Sequence, residues 1–312
     1  MIQLRQLTKR FGGRVAVESL DLEVRRGDVF GLLGHNGAGK STTIGMLLGQ
    51  VWPTSGTACI AGHDVLQERA RALARMGAIF ETPSFYDYLS GWRNLEILSA
   101  YTAPASPKRL REVLDWVGLS GREHNGVRTY SHGMRARLAL AQALLPDPDL
   151  LILDEPTNGL DPEGIHEMRA TIRRLHSELG LTLLLSSHLL REVEQLCTRI
   201  AVLNRGRKVF DGLLSEARPQ RPWIRLITSD PVAALAALQT CGLVVETRPG
   251  GRLLPAEGVV VSQLVCRLVA LGIPVDAIAP EEPTLEEFYL DLMKTGAGQP
   301  GANHETSGTT PP

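Results

Sequence analysis

Hydrophobic and polar positions alternate over the first part of the chain. Single polar residues separate Leu20, Leu22 and Val24, and Ile2 and Leu4 show the same spacing near the N-terminus. A period of two places alternate side chains on one face of a strand. The pattern therefore predicts half-buried antiparallel strands at the start of the protein.

Short, almost entirely apolar runs occur further along the chain. Such runs are typical of strands that helices cover on both faces, and they comprise Val29–Leu33, Leu150–Leu153 and Leu181–Leu185. Apolar residues at three- and four-residue spacing predict helices over Arg109–Val117, Arg135–Leu145 and Pro162–Leu179. Strands alternating with helices predict an α/β fold with a largely parallel core.

After about Gly212 the segments become shorter, and their order resembles a small split-βαβ module. The predicted elements are strand Trp223–Thr228, helix Pro231–Thr240, strands Leu243–Thr247 and Arg252–Pro255, helix Ser262–Leu271, strand Pro274–Ile278 and helix Thr284–Lys294. The final residues are rich in Gly, Pro, Ser and Thr, a composition typical of disorder. We therefore expect a first domain over residues 1–213, a small α+β domain over residues 214–295 and a disordered tail over residues 296–312.

The composition narrows the range of partners. The chain has 312 residues, of which 43% are hydrophobic, so it can bury a sizeable core. Its 33 Lys and Arg against 34 Asp and Glu give a net charge of -1, which provides no general attraction to nucleic acid or anionic lipid. We find no apolar stretch of membrane-spanning length and no secretion signal, and the four cysteines are scattered. We expect a cytoplasmic protein that binds no nucleic acid and contacts a membrane only through a protein partner.

A glycine-rich segment joins the first buried strand to a helical pattern. Its residues are Gly34, His35, Asn36, Gly37, Ala38, Gly39, Lys40, Ser41 and Thr42. Glycines let backbone N–H groups turn inward around phosphate oxygens, and the start of the helix adds positive potential. Lys40 supplies a charge for the β- and γ-phosphates, and the Ser41 hydroxyl can bind Mg²⁺. A chance glycine-rich turn is the alternative, but the position between strand and helix favours a phosphate-binding loop.

Acidic residues end the second buried run. Asp154 and Glu155 follow Leu153 directly, and carboxylates buried there are costly unless a cation or hydrogen bonds compensate. The carboxyl edge of a parallel sheet is also where ligands bind. We therefore assign Asp154 to Mg²⁺, through water, and Glu155 to the general base that activates the attacking water. A turn with two solvated acids is the alternative, and the phosphate-binding loop upstream argues against it.

The third buried run leads into His188. A histidine at this edge can donate a hydrogen bond to the γ-phosphate and so respond to its presence. A structural histidine is the alternative interpretation, but the position after a third buried strand favours the functional one.

Motifs in a fixed order resemble those of the nucleotide-binding subunits of ABC transporters. They are Gly34–Thr42, Tyr130–Met134, Leu150–Glu155, Asn158–Asp161 and His188, within roughly the first 212 residues. The resemblance implies a P-loop NTPase core of the ABC ATPase type, with an antiparallel β subdomain and a helical signature subdomain at about residues 85–145. It also implies that the chain binds ATP with Mg²⁺ and hydrolyses ATP to ADP and phosphate.

The same resemblance implies further site residues and partners. Ser131 and Gly133, expected just before a helix that begins near Arg135, occupy the signature motif, which in the family meets ATP held by a second subunit. The chain would therefore work as a homodimer, or paired with another nucleotide-binding subunit, on a separate multi-span membrane permease. Phe11 corresponds to the aromatic residue that stacks on adenine, with a core aromatic as the alternative. Asp161 corresponds to the loop that communicates between the two sites.

Some positions depart from the usual family pattern. Glu81 stands where the family normally has a glutamine that contacts the Mg²⁺ shell, although a solvated loop acid is the alternative. Together with His132 and Met134 in the signature, Glu81 resembles bacitracin-resistance and lantibiotic-immunity exporters. The segment Glu282–Leu290 resembles the C-terminal motif of daunorubicin-resistance subunits; a capped amphipathic helix, with Thr284 as N-cap and Glu287 completing a capping box, is the alternative, and both can hold together. These similarities imply export of an antibiotic, a peptide or another hydrophobic compound.

Other functions remain open at this point. A soluble ABC ATPase acting on ribosomes or DNA is one, although two cassettes in one chain, long coiled coils and a basic patch are not evident. A nucleotide-dependent binding or regulatory module with little turnover is another, and the presence of both Lys40 and Glu155 argues against it. ATP-driven export is therefore the main hypothesis.

Overall fold

The computed structural model describes residues 1–80, 83–101, 104–217, 223–281 and 284–296. They form two compact units: the first comprises Met1–Ser215 with the end of the last helix from Leu292, and the second comprises Glu216–Asp291. Residues 297–312, nearly all of the predicted tail, lie outside the described residues. Among the described residues, no helix combines the length and the apolar character needed to cross a membrane.

The strands and helices are numbered in chain order. The strands are β1 Ile2–Phe11, β2 Arg14–Val24, β3 Val29–Leu33, β4 Ser55–Ile60, β5 His63–Asp64, β6 Met76–Ile79, β7 Leu150–Asp154, β8 Thr182–Ser187, β9 Arg199–Asn204, β10 Arg207–Leu213, β11 Trp223–Ile227, β12 Val244–Arg248, β13 Arg252–Pro255 and β14 Ala277–Glu281. The helices are α1 Lys40–Leu47, α2 Arg69–Leu73, α3 Gly91–Ser99, α4 Pro107–Trp116, α5 His132–Leu144, α6 Pro162–Leu179, α7 Leu190–Leu196, α8 Pro231–Thr240, α9 Val261–Ala270 and α10 Leu285–Gly296.

A six-stranded sheet with the order β10-β9-β3-β8-β7-β6 forms the centre of the first unit. All neighbouring strands are parallel except β9 and β10 at one edge. Every residue of β3, β7 and β8 is buried, as the apolar runs predict. Because β8 lies between β3 and β7, the carboxyl ends of these strands meet at one edge of the sheet, where ligands bind in folds of this kind.

A glycine in the central strand lets helix α7 lie close to the sheet. A Cβ atom at Gly31 would come within 2.9 Å of Val193 Cγ1 and 3.0 Å of Cys197 Sγ, so a larger residue would push α7 away from β3. Cys197 is buried, and this burial raises the pKa of its thiol. All four cysteines are free thiols.

A second, antiparallel sheet of the first unit has the order β2-β1-β4-β5. The alternating residues that predicted its strands, such as Leu4 and Leu22, are buried. They belong to one hydrophobic core with Phe30 and Leu32 of β3 and Ile44 of α1. The apolar faces of both sheets therefore meet around α1, and this shared burial stabilises the position of the helix that follows the glycine-rich loop.

Helices α3, α4 and α5 contact one another. Each begins after a serine whose hydroxyl oxygen accepts a hydrogen bond from an N–H three residues later, with distances of 3.2 Å at Ser90, Ser106 and Ser131. Helix α5 also contacts β6 of the central sheet. The serine caps explain why these short helices begin where they do.

The second unit contains a four-stranded antiparallel sheet with the order β12-β13-β11-β14. Strand β13 separates β11 from β12, which confirms the split-βαβ order. The core of this unit includes Ile224, Leu238, Leu253 and Leu264. The predicted strand Pro274–Ile278 is wrong by three residues, because Ile273 and Val275 pack against this core from a loop before β14 begins.

Candidate functional site

A cleft of about 740 Å³ opens at the carboxyl edge of the central sheet. The β1–β2 hairpin, the glycine-rich loop and the segments after β7 and β8 contribute its walls. Its lining residues are Phe11, Arg14, Ala16, His35, Asn36, Gly37, Gly39, Lys40, Ser41, Thr42, Glu155, Asn158 and His188. The cleft thus brings together the glycine-rich loop, Glu155 and His188, which are far apart in sequence.

The backbone of the glycine-rich loop has a conformation and close contacts that only glycine allows. Gly37 and Gly39 have φ angles of +81° and +109°, which L-residues rarely adopt. A Cβ atom at Gly39 would lie 2.6 Å from the Ala16 carbonyl oxygen, and one at Gly34 would lie 2.7 Å from the Leu203 carbonyl oxygen. Helix α1 begins directly after Gly39, so its first N–H groups add positive potential beside the cleft. The loop therefore has the shape and polarity of a cradle for phosphate groups.

Lys40 is held at the base of this loop. Its side chain is only 6% exposed, and its Nζ donates a hydrogen bond of 2.7 Å to the Gly34 carbonyl oxygen. The same Nζ lies 3.6 Å from Glu155 Oε1, so Glu155 partly compensates the buried charge. The ammonium group is positioned where an anionic ligand in the loop would meet it.

Glu155 links the loop to His188. Its Oε2 lies 2.6 Å from His188 Nδ1, and its backbone N–H donates to the Ser186 carbonyl oxygen at 3.1 Å. The Glu155 backbone has a φ angle of +50°, which is unfavourable for a non-glycine residue and occurs preferentially at functional sites. This conformation directs the carboxylate into the cleft from the end of β7.

The oxygen ligands available here have the chemistry that Mg²⁺ requires. Ser41 lines the cleft, whereas Asp154 lies outside the lining, is 7% exposed and accepts a hydrogen bond from the Ser186 hydroxyl. Across the described residues, no three His, Cys, Asp or Glu side chains form a metal-binding group. Mg²⁺ is commonly bound through one or two protein oxygens together with phosphate oxygens and water. Ser41 and Asp154 fit that mode of binding.

The hairpin side of the cleft contains Phe11, which the sequence analysis predicts, and Arg14 and Ala16, which it does not. Phe11 is 52% exposed, which excludes the alternative of a core aromatic, and Lys9 Nζ lies 4.8 Å from the centroid of its ring. Sequence reasoning missed Arg14, an exposed residue of the cleft lining whose Nη2 would lie 3.6 Å from a Cβ at Gly37. It also missed Ala16 and gave no role to Asn158. The glycines between Phe11 and Arg14 were the available signal, because they indicate a turn next to the aromatic residue.

The residues of the signature motif lie outside the cleft lining. Ser131 is exposed and caps α5, which begins at His132, so the predicted start near Arg135 is wrong and Gly133 lies in the first turn. Asp161 is exposed and caps α6 by accepting a hydrogen bond of 2.9 Å from the Gly164 N–H. The roles assigned to Ser131, Gly133 and Asp161 stay predictions.

Three other predicted residues, Gly34, Ala38 and Glu81, have a different status. Gly34 and Ala38 are buried within the loop and shape it without lining the cleft. Glu81 lies outside the described residues, so its predicted contact with the Mg²⁺ shell stays a prediction.

Comparison with known proteins relates this site to a family. Residues 17–158 match the family described as ABC transporter. Bacitracin transport ATP-binding protein BcrA of Bacillus licheniformis is 37% identical over 307 residues, which cover 95% of this chain and 98% of the relative. Daunorubicin resistance ATP-binding protein DrrA3 of Streptomyces coeruleorubidus is 36% identical over 299 residues, which cover 91% and 93% of the two chains.

The solved structures include one described as an ATP binding subunit of an ABC transporter. It has a TM-score of 0.61 and 28% identity, and the match covers 70% of this chain and 91% of that one. These similarities confirm the predicted ABC ATPase fold and the suspected bacitracin- and daunorubicin-resistance group. The ordered motifs, the phosphate cradle at the edge of a parallel sheet and these relatives lead to one conclusion: the chain belongs to the ABC transporter family, as an ATP-binding subunit.

Proposed function

We propose that this chain hydrolyses ATP to drive export through a separate membrane permease. The observation that carries the proposal is the Glu155 carboxylate, which contacts His188 on one side and Lys40 on the other within the cleft. A base, a cation and a histidine thus converge beside a loop shaped for phosphates. This arrangement suits attack of water on the terminal phosphate of ATP.

The residues divide the work of hydrolysis in a consistent way. Phe11 supplies an exposed ring for adenine, and the glycine-rich loop with Lys40 holds the phosphates. Glu155 accepts the proton of the attacking water, and His188 donates a hydrogen bond to the γ-phosphate as the bond to ADP breaks. Ser41 and, through water, Asp154 would hold Mg²⁺, with Glu81 near its shell, and the ion would supply positive charge for the phosphate oxygens.

A second copy of the chain completes the site in this proposal. Ser131 and Gly133 are not part of the cleft lining, although the start of α5 offers a hydroxyl and N–H groups suited to a phosphate. In the proposed homodimer, the α5 start of one copy faces the ATP in the cleft of the other. Asp161, at the start of α6, would then belong to the loop that communicates between the two ATP sites.

The membrane role is supported by the names of the relatives. Their bacitracin transport and daunorubicin resistance favour an antibiotic, a peptide or another hydrophobic compound as the exported molecule. In the proposed complex, the permease contacts that molecule, and this chain lies on the cytoplasmic face of the membrane as a peripheral subunit. We further propose that residues 1–213 form the nucleotide-binding domain and residues 214–295 an accessory domain.

The proposal is tested with the variant Glu155→Gln. We expect Mg²⁺-ATP to bind normally and hydrolysis to fall at least about 100-fold, because the amide cannot accept the proton. With ATP present, gel filtration should show a stable dimer. The control variant Glu178→Gln changes an exposed acid of α6 and should hydrolyse ATP normally. Normal turnover by Glu155→Gln would contradict the assignment of the base.

The partner is tested by co-expression with a multi-span membrane protein whose reading frame neighbours that of this chain. We expect the two proteins to purify together in detergent and ATP turnover to respond to the exported compound. Purification with ribosomes, and without any membrane protein, would instead favour the alternative of a soluble ABC ATPase. The net charge of -1 does not favour such a nucleic-acid-rich partner.

A further inference from the structure

Two buried polar side chains connect the loops that carry Glu155 and His188. Thr157 lies two residues after Glu155 and is 3% exposed, and Glu192 lies in the first turn of α7, shortly after His188, and is 6% exposed. The Thr157 hydroxyl donates a hydrogen bond to Glu192 Oε2. The other oxygen, Oε1, is buried and has no hydrogen-bond partner among the described residues.

A buried carboxyl group with one hydroxyl partner is an expensive feature. Removing a carboxylate from water is costly, and one hydrogen bond from a hydroxyl recovers only part of that cost. An apolar residue at position 192 would avoid this cost. The neighbouring Val193 is such a residue, and it lies against the central strand at Gly31. The hydrogen bond between Thr157 and Glu192 therefore has a role that hydrophobic packing would not fulfil.

The surrounding hydrogen bonds show what the contact fixes. The Asn158 N–H donates to the Glu155 carbonyl oxygen at 3.0 Å, which makes the segment after β7 a tight turn. On the other side, Arg173 Nη2 donates to the Gln195 carbonyl oxygen at 2.8 Å, which ties α7 to α6. The Glu155 N–H, which donates to the Ser186 carbonyl oxygen at 3.1 Å, joins the two loops at their start, and the Thr157–Glu192 hydrogen bond joins them again further from the strand ends.

We propose that Glu192 is a positioning residue for ATP hydrolysis, acting through Thr157. The Glu155–His188 contact is partly exposed, and both residues must turn to water and phosphate when ATP binds. The buried Thr157–Glu192 hydrogen bond holds the two backbones together while that contact changes. This inference rests on the proposed role of Glu155 and His188, and it adds a residue that lies outside the cleft lining.

The test measures kcat and KM for ATP in shape-preserving variants. Thr157→Val keeps the size of the side chain but removes the donor, and we expect kcat to fall about 10- to 100-fold because small displacements of reacting groups are costly. We expect KM to change by less than about 3-fold, since Phe11 and the glycine-rich loop are untouched. Glu192→Gln keeps an oxygen acceptor, so its kcat should stay within about 3-fold of the wild-type value. Glu192→Ala removes the acceptor, so its kcat should fall about as far as that of Thr157→Val.

A purely structural role gives a different result. An acid in the first turn of α7 also stabilises that helix, so this role predicts a lower melting temperature with unchanged kcat. Wild-type kcat in folded Thr157→Val, or a Gln variant no better than the Ala variant, would overturn the inference. Because Thr157→Val and Glu192→Gln preserve shape, they decide the question even if Glu192→Ala does not fold. Failure of the wild-type chain to hydrolyse ATP would overturn the proposed function instead, so the two failures are distinguishable.

Discussion

At the scale of single residues, the cleft contains one cation that no nearby acid compensates. Lys40 lies 3.6 Å from Glu155, but the exposed Arg14 guanidinium faces the cleft beside Gly37 and has no recorded ion pair within the described part of the chain. Arg14 lies between Phe11, which we assign to adenine, and the loop that we assign to the phosphates. It is therefore suited to the phosphate nearest the sugar.

We predict that Arg14→Gln weakens ATP binding about 3-fold and leaves adenosine binding unchanged, since an exposed ion pair contributes little energy. Arg14→Lys keeps the charge and should bind ATP almost normally. Titration calorimetry with ATP and adenosine, at low and high salt, measures both effects. Equal loss of ATP and adenosine binding would indicate a distorted hairpin rather than a lost charge.

At the scale of elements, the glycine-rich loop is the part of the site with the tightest geometry. Gly39 combines a φ angle of +109° with the approach of the Ala16 carbonyl oxygen to 2.6 Å from a Cβ. We predict that Gly39→Ala lowers ATP affinity at least about 10-fold, because the loop must move away from β2 to admit the methyl group.

The control for this variant is Gly62→Ala. Gly62 also has a positive φ angle, +86°, but no atom lies within 4 Å of its Cβ position. This variant should lose about 1 kcal/mol of stability and bind ATP normally. ATP binding measured by nucleotide fluorescence, together with thermal unfolding, separates the two cases. Comparable ATP binding by both alanine variants would show that the close approach does not matter.

Elements with strong local signals could be predicted from the sequence. Helix α6 has the predicted bounds because Asp161 caps its start and Gly180, with a φ angle of +66°, ends it. Helix α5 begins at His132, earlier than predicted. The prediction is late because the first turn of the helix lacks the apolar spacing from which helices are predicted. The sequence predicts a strand in the loop before β14, because the apolar residues of that loop pack against the core as those of a strand do.

Part of the candidate site could also be predicted from the sequence. Lys40, Glu155 and His188 each follow a buried run, and the carboxyl ends of parallel strands meet. Sequence could not reveal the hydrogen bond between Thr157 and Glu192, since it joins side chains 35 residues apart without any repeating pattern. Arg14 was missed for the same reason, because only the folded hairpin brings it to Gly37.

At the scale of the whole molecule, each unit has its own hydrophobic core. One core includes Leu7, Phe30 and Ile44, and the other includes Ile224 and Leu264. The cleft is built entirely from residues of the first unit. A ligand in the cleft should therefore stabilise that unit directly.

We predict that calorimetry resolves two unfolding transitions and that Mg²⁺-ATP raises the temperature of only one. At 100 times the dissociation constant, ATP should add about 2.7 kcal/mol to the stability of the first unit. The Gly39→Ala variant is the control: with ATP bound at least about 10-fold more weakly, the same ATP concentration should add at most about 1.4 kcal/mol, and the shift should be correspondingly smaller. A single transition that moves as a whole would contradict the proposed division into domains.

Ser131 is exposed and is not among the residues that line the cleft of its own chain, which has a consequence for reaction order. If each ATP needs the α5 start of a second copy, dilute chains in solution hydrolyse ATP at a rate that rises with the square of their concentration. A permease that holds two copies raises their effective concentration to the millimolar range. Turnover then becomes first order in the complex, so the membrane partner would switch the enzyme on merely by bringing two copies together.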